Sequence, residues 1–231
     1  MESTIKLSVI LPVFNEKETI LEILKKVEDV KLKNIDKEII IVDDFSTDGT
    51  REILKELKKH KIFFHEKNIG KGGALRTGIK NVTGEIVLFQ DADLEYDPKF
   101  YEELIKPILN NETKVVYGSR MLGKHRDMYF LHHFGNNFLT FVTNLLFRCK
   151  ITDMETGYKV FRREVLEGLN LKSERFEFEP EITAKILKKG YKIKEVPVDF
   201  DNPRDFTQGK KITWRDGVMH LFYLIKYRFL D

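Results

Sequence analysis

Short apolar runs alternate with segments of helical periodicity along the first half of the chain. The runs are rich in Ile, Val, Leu and Phe, as strands covered on both faces are, and they predict strands at 6–13, 38–42, 61–65, 85–90 and 114–117. Apolar residues at helical spacing, or turn and capping residues ahead of such a segment, predict helices at 16–30, 51–59 and 74–81. This alternation predicts an α/β fold with a mainly parallel sheet flanked by helices.

Two apolar, aromatic segments dominate the second half of the chain. Residues 130–147 show helical spacing and contain no acidic residue, whereas 218–230 carry Lys226 and Arg228 among aromatic side chains. The sequence leaves two interpretations open for these segments. They are either buried helices that pack against the rest of the protein or helices that lie on a membrane surface.

The composition narrows the class of protein. A chain of 231 residues suits a single domain, and 42% hydrophobic residues with 18 Phe exclude intrinsic disorder. The sequence has one cysteine, Cys149, which excludes a disulfide framework and a cysteine-based zinc site. The net charge of +3 comes from interspersed acidic and basic residues, so we expect no nucleic-acid partner.

Membrane-spanning and secretory signals are missing from the sequence. No uninterrupted apolar run approaches the roughly 20 residues that a membrane-spanning helix needs. The first residues, MESTIKLSVILPV, lack the basic region and the cleavage site of a signal peptide. We therefore expect a cytoplasmic protein without a transmembrane domain.

Polar residues follow three of the predicted strands, at Asn15-Glu16, Asp43-Asp44 and Asp91-Ala92-Asp93. In open α/β sheets, ligands bind beyond the carboxyl ends of the strands, so these residues predict a binding site. Two aspartates one residue apart can hold a hard divalent cation that bridges the two phosphates of a nucleotide. The tripeptide alone is weak evidence, because it also occurs in ordinary capped loops.

Eight motifs stand in the same order as in one known family. They are VILPVFNE (9–16), IIIVDDFSTDGT (39–50), NIGKGGALRTGI (68–79), FQDADLEYDP (89–98), VYGSR (116–120), DMETGYKVFRREV (153–165), FEFEPEITAKILKKGYKIKEVPV (176–198) and RDFTQGKKITWRDG (204–217). On these motifs the chain resembles the family 2 glycosyltransferases of the GT-A fold, and within them the polyprenyl-phosphate hexose synthases typified by dolichyl-phosphate mannose synthase. The resemblance implies a Rossmann-like sheet and one catalytic domain over 1–231. It divides that domain into a nucleotide-sugar-binding half, 1–120, and an acceptor-side half of helices and loops, 121–231.

The resemblance also implies which residues bind the donor and the metal. In such enzymes the turn after the first strand holds the nucleotide, the end of the second strand reads the base, and the D-x-D motif holds Mg²⁺ or Mn²⁺ and the diphosphate. The residues that match the donor site are Pro12, Phe14, Glu16, Ile41, Asp43, Asp91, Ala92, Asp93, Arg120, Arg204 and Lys210. The metal ligands that it implies are Asp91, Asp93 and Glu95. The expected catalytic residues are Asp93, Arg120 and Arg204.

Some of these positions keep a second interpretation. One of Asp43 and Asp44 could serve only to order the turn. Glu95 could be a solvated loop carboxylate, and Lys211 could take the phosphate contact expected of Lys210.

Two further segments are ambiguous. Gly70-Lys71-Gly72-Gly73 lacks the spacing of a P-loop, and its glycines allow either a close approach to the ligand or tight packing. In 176–181, one of three glutamates could meet the sugar or the acceptor, while the others cap the helix that Pro180 opens.

The resemblance implies inverting transfer of a hexose from a nucleotide-sugar, GDP-mannose or a UDP-hexose, to a polyprenyl phosphate such as dolichyl phosphate. A phosphate acceptor is ionised at neutral pH, so catalysis would need positioning and charge neutralisation more than a general base. His132 and His133 are then structural residues or contacts of the acceptor phosphate. The enzyme would reach its lipid by peripheral contact with the cytoplasmic face of a membrane, or through a membrane partner subunit.

Two other functions stay open at this stage. Transfer to a saccharide or protein hydroxyl would need a base, for which Asp153 or a carboxylate in 176–181 could serve. A catalytically silent nucleotide-sugar-binding subunit is the other alternative, and the joint presence of the D-x-D motif, Arg120 and Arg204 argues against it.

Overall fold

The computed structural model describes residues 4–124, 130–200 and 214–230, with the side chains of the last two segments described from 134 and from 217 onward. The strands in these residues are β1 (Ile5–Val13), β2 (Ile35–Asp43), β3 (Lys61–Phe64), β4 (Ile86–Phe89), β5 (Val115–Ser119), β6 (Lys159–Arg162) and β7 (Ile193–Pro197). The α-helices are α1 (Ile20–Asp29), α2 (Thr50–Glu56), α3 (Lys71–Lys80), α4 (Tyr101–Leu109), α5 (Phe130–Phe147), α6 (Arg163–Glu167), α7 (Phe178–Lys188) and α8 (Trp214–Phe229).

The described strands form one seven-stranded sheet in the order β3-β2-β1-β4-β6-β5-β7. Neighbouring strands are parallel except where β6 pairs with β4 and with β5. The predicted α/β fold with a mainly parallel sheet is confirmed. Because β1 lies between β2 and β4 and is parallel to both, the carboxyl ends of these three strands meet at one edge of the sheet.

The predicted elements are present with shifted ends. The helix predicted at 16–30 begins at Ile20, because Glu16 belongs to the turn after β1, in which its carbonyl accepts the N–H of Thr19 at 3.1 Å. The helix predicted at 74–81 begins earlier, at Lys71. Gly70, with φ 97°, makes the turn immediately before it, a conformation that side chains other than hydrogen rarely allow.

Helices cover both faces of the sheet, which explains the continuous apolar runs of the strands. On one face, Leu7, Val9 and Leu11 of β1 pack with buried residues of α1 and α4. On the other face, Ile10 packs with buried residues of α3 and α7. Alternate side chains of β1 thus enter two separate cores, as the two-residue period of a strand requires.

Glu38 of β2 joins several elements through its carboxylate. It accepts hydrogen bonds from the hydroxyl of Ser8 at 2.5 Å, the N–H of Thr83 at 2.6 Å and the ammonium of Lys61 at 2.9 Å. Burial alone would raise the pKa of Glu38, but these hydrogen bonds hold it well below its ordinary value. The carboxylate therefore ties β1, β2, β3 and the turn before β4 together in its ionised form.

The helices α5 and α8 pack on each other and expose apolar stripes on their outer faces. Leu139, Met154 and Leu224 are buried where the two helices meet. The outward side chains are between 46% and 69% exposed, and they are Phe134, Phe138, Phe141 and Leu145 on α5 and Val218, Phe222, Ile225 and Phe229 on α8. The inner faces match the packing interpretation, whereas the outer faces are not covered by any described residue. Among the described helices, none has the length and hydropathy that crossing a bilayer requires.

Candidate functional site

The turn after β1 is fastened to the loop after β2. Asn15, with φ 54°, donates its backbone N–H to the hydroxyl of Ser46 at 2.9 Å and accepts the N–H of Thr47 at 2.8 Å on its side-chain oxygen. Glu16 donates its backbone N–H to the hydroxyl of Thr50 at 2.9 Å. These bonds give the edge of the site a defined backbone shape.

The predicted nucleotide-binding residues of this turn differ in exposure. Pro12 and Phe14 are partly exposed at the strand edge. Glu16 is buried, and its carboxylate accepts the hydroxyl of Thr19 at 2.9 Å. Pro12 and Phe14 therefore offer surface to a ligand, whereas Glu16 stabilises the segment that leads into α1.

Asp44 orders the loop that leads into α3. Its carboxylate accepts the backbone N–H groups of Ile69 at 2.9 Å and Gly70 at 2.7 Å, and lies 2.7 Å from Nδ1 of His65. The other ring nitrogen of His65 lies 2.9 Å from the hydroxyl of Thr77. Asp44 thus orders the loop into α3, while Asp43, the last residue of β2, accepts the backbone N–H of Ser46 at 3.3 Å, so both aspartates order the turn.

The carboxylate of Asp43 is enclosed by an aromatic and cationic cluster. Its side chain has no exposed surface and lies 3.5 Å from Nε of Arg51. The guanidinium of Arg51 lies between the rings of Phe45 and Phe64, 5.5 and 5.1 Å from their centroids. Ile41, also fully buried, belongs to the core because β2 lies between β1 and β3. The structure thus places neither member of the predicted base-reading pair, Ile41 and Asp43, at the surface.

Gln90 holds the loop that carries the D-x-D motif. Its side-chain amide donates to the carbonyls of Asp91 at 3.0 Å and Tyr96 at 3.1 Å. Its amide oxygen accepts the hydroxyls of Tyr101 at 2.9 Å and Tyr158 at 2.8 Å. All the polar atoms of this buried side chain are therefore used to fix the start and end of the loop.

The D-x-D motif presents two carboxylates around a buried alanine. Asp91 and Asp93 are partly exposed, whereas Ala92 is buried. Oδ1 of Asp93 accepts the N–H of Glu95 at 3.2 Å. A Cβ atom at Gly157 would lie 2.2 Å from Oδ2 of Asp91, so a glycine is required there to leave room for this carboxylate.

Lys71 is a site residue that the sequence analysis missed. Its ammonium lies 2.7 Å from Oδ1 of Asp91 and 3.4 Å from Oε1 of Glu179. The other oxygen of Glu179 contacts the fully buried ammonium of Lys159. Burial alone would lower the pKa of Lys71, but the charges of Asp91 and Glu179 raise it above its ordinary value. Four alternating charges therefore lead from the core to the D-x-D motif.

The sequence signal for Lys71 was its place in the glycine-rich segment that opens α3. A Cβ atom at Gly72 would lie 2.7 Å from the carbonyl oxygen of Ser173, and Gly73 donates its N–H to the carbonyl of Glu174 at 2.8 Å. Gly72 and Gly73 thus serve tight packing against the loop before α7. The lysine between Gly70 and Gly72 is the residue of this segment that reaches the site.

Arg120, the residue after β5, forms an ion pair with Asp153. Its Nε lies 2.7 Å from Oδ2 of Asp153 and its Nη2 lies 2.8 Å from Oδ1, which also accepts the amide of Asn136 at 3.0 Å. Asp153 is fully buried. Burial alone would raise its pKa, but the charge and hydrogen bonds of Arg120 lower it. Asp153 is therefore the ionised partner of Arg120.

The three glutamates of 176–181 have separate tasks. Glu177 and Glu181 accept backbone N–H groups of the loop 172–175. Glu179 is the one of the three that contacts Lys71. The expectation that the other two glutamates cap a helix opened by Pro180 is wrong, because α7 begins at Phe178 without a side-chain cap and both carboxylates bind the loop before it. Contact of one glutamate with the sugar or the acceptor stays a prediction.

The donor set at the D-x-D motif fits Mg²⁺ or Mn²⁺ shared with a nucleotide. Within 4–124, 130–200 and 214–230, no three His, Cys, Asp or Glu side chains converge on a common point, so Asp91, Asp93 and Glu95 do not form a three-carboxylate cage. Mg²⁺ usually takes one or two carboxylates together with water and substrate phosphates, so such a cage is not required. The ammonium of Lys71 on Asp91 shows that this carboxylate attracts a cation.

Several predicted residues lie outside the described part of the chain. Arg204, Lys210 and Lys211 fall between its second and third segments. The side chains of His132 and His133 are also outside it. The roles expected of them remain predictions from the sequence.

Comparison with known proteins identifies the family. Residues 8–169 match the family model described as glycosyl transferase family 2. The protein belongs to this family and is a glycosyltransferase, which confirms the family and the enzyme class that the motifs predicted.

Curated relatives cover most of the chain. It is 31% identical over 212 residues to UDP-N-acetylglucosamine–dolichyl-phosphate N-acetylglucosaminyltransferase of Methanococcus voltae, covering 82% of this chain and 83% of that one. It is 30% identical over 232 residues to dolichol-phosphate mannosyltransferase of Pyrococcus furiosus, covering 96% of this chain but 64% of the relative's length. An uncharacterised Methanocaldococcus jannaschii protein is 36% identical over 197 residues, which cover 82% of this chain and 79% of the other.

Solved structures confirm the GT-A fold. Glucosyl-3-phosphoglycerate synthase from Mycobacterium tuberculosis with UDP superposes with a TM-score of 0.76 at 21% identity, covering 98% of this chain and 81% of the other. The same enzyme with Mn²⁺, UDP and phosphoglyceric acid gives a TM-score of 0.73 at 20% identity, with 98% and 80% covered. At this identity the likeness establishes the fold.

Proposed function

We propose that the protein transfers a hexose from a nucleotide-sugar, GDP-mannose or a UDP-hexose, to the phosphate of a polyprenol such as dolichol, with inversion at the anomeric carbon. The observation that carries this proposal is the pair of Arg120 and Asp153, which fixes a cation beside the strand ends and lowers the pKa of the carboxylate. The two relatives named for transfer to dolichyl phosphate support it.

The proposed donor site lies at the edge formed by β1, β2 and β4, in the half 1–120. Pro12 and Phe14 supply exposed surface for the nucleotide, and the D-x-D motif faces the diphosphate. The carboxylate of Asp43 would accept N–H donors of uracil or guanine only after Arg51 moves aside, because Arg51 is its neighbour at 3.5 Å. Base recognition is therefore coupled to the position of Arg51.

A divalent cation, Mg²⁺ or Mn²⁺, would be held by Asp91 and Asp93 together with the diphosphate, and Glu95 would add negative charge beside it. When bound, it would neutralise the charge that develops on the leaving nucleoside diphosphate. Lys71 contacts Asp91 and Arg120 interacts electrostatically with Glu95, so both cations lie beside the same region. An ammonium or a guanidinium stabilises phosphate charge without any proton transfer. Arg204 and Lys210 are proposed to add to them on the sequence motif alone.

The state of the carboxylates favours a phosphate acceptor over a hydroxyl. A hydroxyl nucleophile needs a base, and Asp153 is ionised with a lowered pKa and four hydrogen bonds. Glu179 is bound to Lys71 and Lys159, and Glu181 is occupied by backbone N–H groups and Lys185. A phosphate oxygen is already ionised and attacks without such a base.

The exposed stripes of α5 and α8 are proposed to bring the acceptor-side half, 121–231, to the cytoplasmic face of a membrane. The stripes are aromatic and aliphatic, and Lys226 and Arg228 on α8 suit anionic lipid headgroups. Co-sedimentation with anionic vesicles should be strong for the wild type and weak for a variant with Phe141→Ser and Phe222→Ser. Equal sedimentation of both would contradict membrane contact through this face and direct attention to a membrane partner subunit.

The transfer reaction is tested with radiolabelled donors. Purified protein and Mn²⁺ are incubated with GDP-mannose, UDP-glucose or UDP-N-acetylglucosamine, with and without dolichyl phosphate, and label in the organic phase is counted. We expect label with one donor, dependent on the lipid, lost in Asp93→Ala and retained in the control Glu177→Gln. Metal-dependent release of nucleoside diphosphate without label in the lipid would contradict the proposed polyprenyl phosphate acceptor. Binding of the nucleotide-sugar with neither released diphosphate nor labelled lipid would indicate a catalytically silent binding subunit.

A further inference from the structure

We propose that Glu179 is a positioning residue that receives the ammonium of Lys71 when a divalent cation takes Asp91. Lys71 and the cation then exchange places at the D-x-D motif. This inference rests on the proposed function, because it takes the cation to bind at that motif. It assigns a task to a carboxylate that the sequence motif 176–181 left open.

The distances place Lys71 between two carboxylates. Its ammonium lies 2.7 and 3.0 Å from the two oxygens of Asp91 and 3.4 Å from Oε1 of Glu179. A small rotation of the flexible lysine stem is therefore enough to move the ammonium from one partner to the other. Both end states keep an ion pair.

Charge repulsion makes the exchange necessary. A divalent cation on Asp91 would stand within a few ångströms of the ammonium, and like charges at that separation repel strongly in a partly buried site. The side chain of Lys71 is only 20% exposed, so an ammonium expelled without a partner would be poorly solvated. Glu179 supplies the second partner.

Glu179 is itself fixed in place. Its side chain is 8% exposed, and its Oε2 contacts Lys159, whose side chain has no exposed surface. The ammonium of Lys159 also donates to the carbonyls of Met154, at 3.2 Å, and Thr156. The carboxylate is thus anchored from behind while its other oxygen faces Lys71.

The exchange keeps Lys71 beside the reaction. Held by Glu179, the ammonium stays next to the loop of Asp91, where it can neutralise the donor diphosphate together with the cation. Without Glu179, Lys71 would stay on Asp91 and compete with the cation for this carboxylate. The predicted signature is a dependence of cation affinity on Glu179 that acts through Lys71.

A double-mutant cycle on Mn²⁺ binding tests this. The electron paramagnetic resonance signal of free Mn²⁺ is followed during titration of the protein, without nucleotide and with saturating UDP or GDP. We expect Lys71→Met to tighten Mn²⁺ binding by about fivefold or more, and Glu179→Gln to weaken it by a similar factor. In the Lys71→Met background, Glu179→Gln should change the affinity by less than about twofold. An equal loss in both backgrounds would show that Glu179 acts by its charge alone and overturn the inference.

The controls separate folding, charge and function. Glu177→Gln removes a carboxylate of the same motif that binds backbone N–H groups, and it should leave Mn²⁺ affinity unchanged. Because Glu179→Gln leaves Lys159 without its carboxylate, the pair Glu179→Gln with Lys159→Met is measured alongside, with circular dichroism as the folding check. If neither variant folds, Lys71→Met decides alone, and an unchanged Mn²⁺ affinity in that variant overturns the inference.

Failure of the proposed function and failure of this inference give different results. If the wild type binds no Mn²⁺ even with UDP or GDP, the metal role in the proposed function fails. If the wild type binds Mn²⁺ and transfers sugar but the cycle shows no coupling between Lys71 and Glu179, only this inference fails.

Discussion

Replacing Asp153 with Asn should strongly destabilise the protein, because Asp153 is the buried counter-charge of Arg120. The carboxylate has no exposed surface and accepts four hydrogen bonds, from the backbone N–H, Nε and Nη2 of Arg120 and from the amide of Asn136. An Asn side chain offers a single oxygen, so its NH₂ group would face a donor. The guanidinium of Arg120, with a side chain 12% exposed, would keep its charge without a partner.

The expected loss follows from the cost of breaking a buried ion pair. Removing one partner typically costs about 3–5 kcal/mol, because the remaining charge stays buried. For a protein of this size that corresponds to a fall in the melting temperature of roughly 6–20 °C. The pKa of Asp153 is lowered in the folded state, so its contribution is present at neutral pH and is lost as the pH falls below the ordinary range of an aspartate.

Urea unfolding followed by far-ultraviolet circular dichroism measures this loss. Asp36→Asn, at an exposed carboxylate, is the matched control and should change the free energy of unfolding by less than about 0.5 kcal/mol. Adding Arg120→Met to Asp153→Asn should restore much of the stability while transfer activity stays absent. A loss below about 1 kcal/mol for Asp153→Asn would refute the view that this pair is a buried, ionised contact.

Three further predictions concern other parts of the molecule. The pKa of Glu38 is lowered on folding, so the stability that its ionised carboxylate contributes should be lost as the pH falls below about 4.5. A plot of unfolding free energy against pH should therefore be flatter for Glu38→Gln than for the wild type, and identical plots would contradict this. Gly157→Ala should weaken Mn²⁺ and UDP binding in calorimetry by about tenfold, because the new methyl group displaces Asp91. The control Gly168→Ala should leave both affinities unchanged, because its Cβ would approach no atom closer than 3.5 Å. Burial raises the pKa of Cys149 to about 11, so iodoacetamide at pH 8 should modify it slowly until urea unfolds the protein; fast labelling of the folded protein, seen by mass spectrometry, would oppose this.

Features that depend on neighbours in sequence could be predicted. The strands followed from short apolar runs, and the carboxylates at their ends followed from polar residues that interrupt those runs. Asp91 and Asp93 lie after β4, as predicted, because the same few residues determine both the strand and its end. The ordered motifs added the family, which the match over 8–169 confirms.

Features that depend on distant partners could not be predicted. From the sequence, Lys71 would be interpreted as a surface lysine of a glycine-rich segment, whereas in the structure α7 places Glu179 beside it. From the sequence, Asp153 is a candidate base, whereas in the structure it forms an ion pair with Arg120 at the end of β5. In both cases the sequence identifies an ionisable group, but its charge state and its task are decided by a partner far away along the chain.

Strand β6 has a consequence for building chimeric enzymes. It comes from the second half of the chain, yet it pairs with β4 and β5 and so occupies the middle of the sheet formed by the first half. In a chimera of two relatives joined at residue 120, β4 and β5 would come from one parent and β6, which pairs with both, from the other. Exchanging acceptor regions between relatives to alter acceptor choice would therefore need a crossover beyond Arg162, where the sheet is complete up to β5 and the imported segment begins with helices.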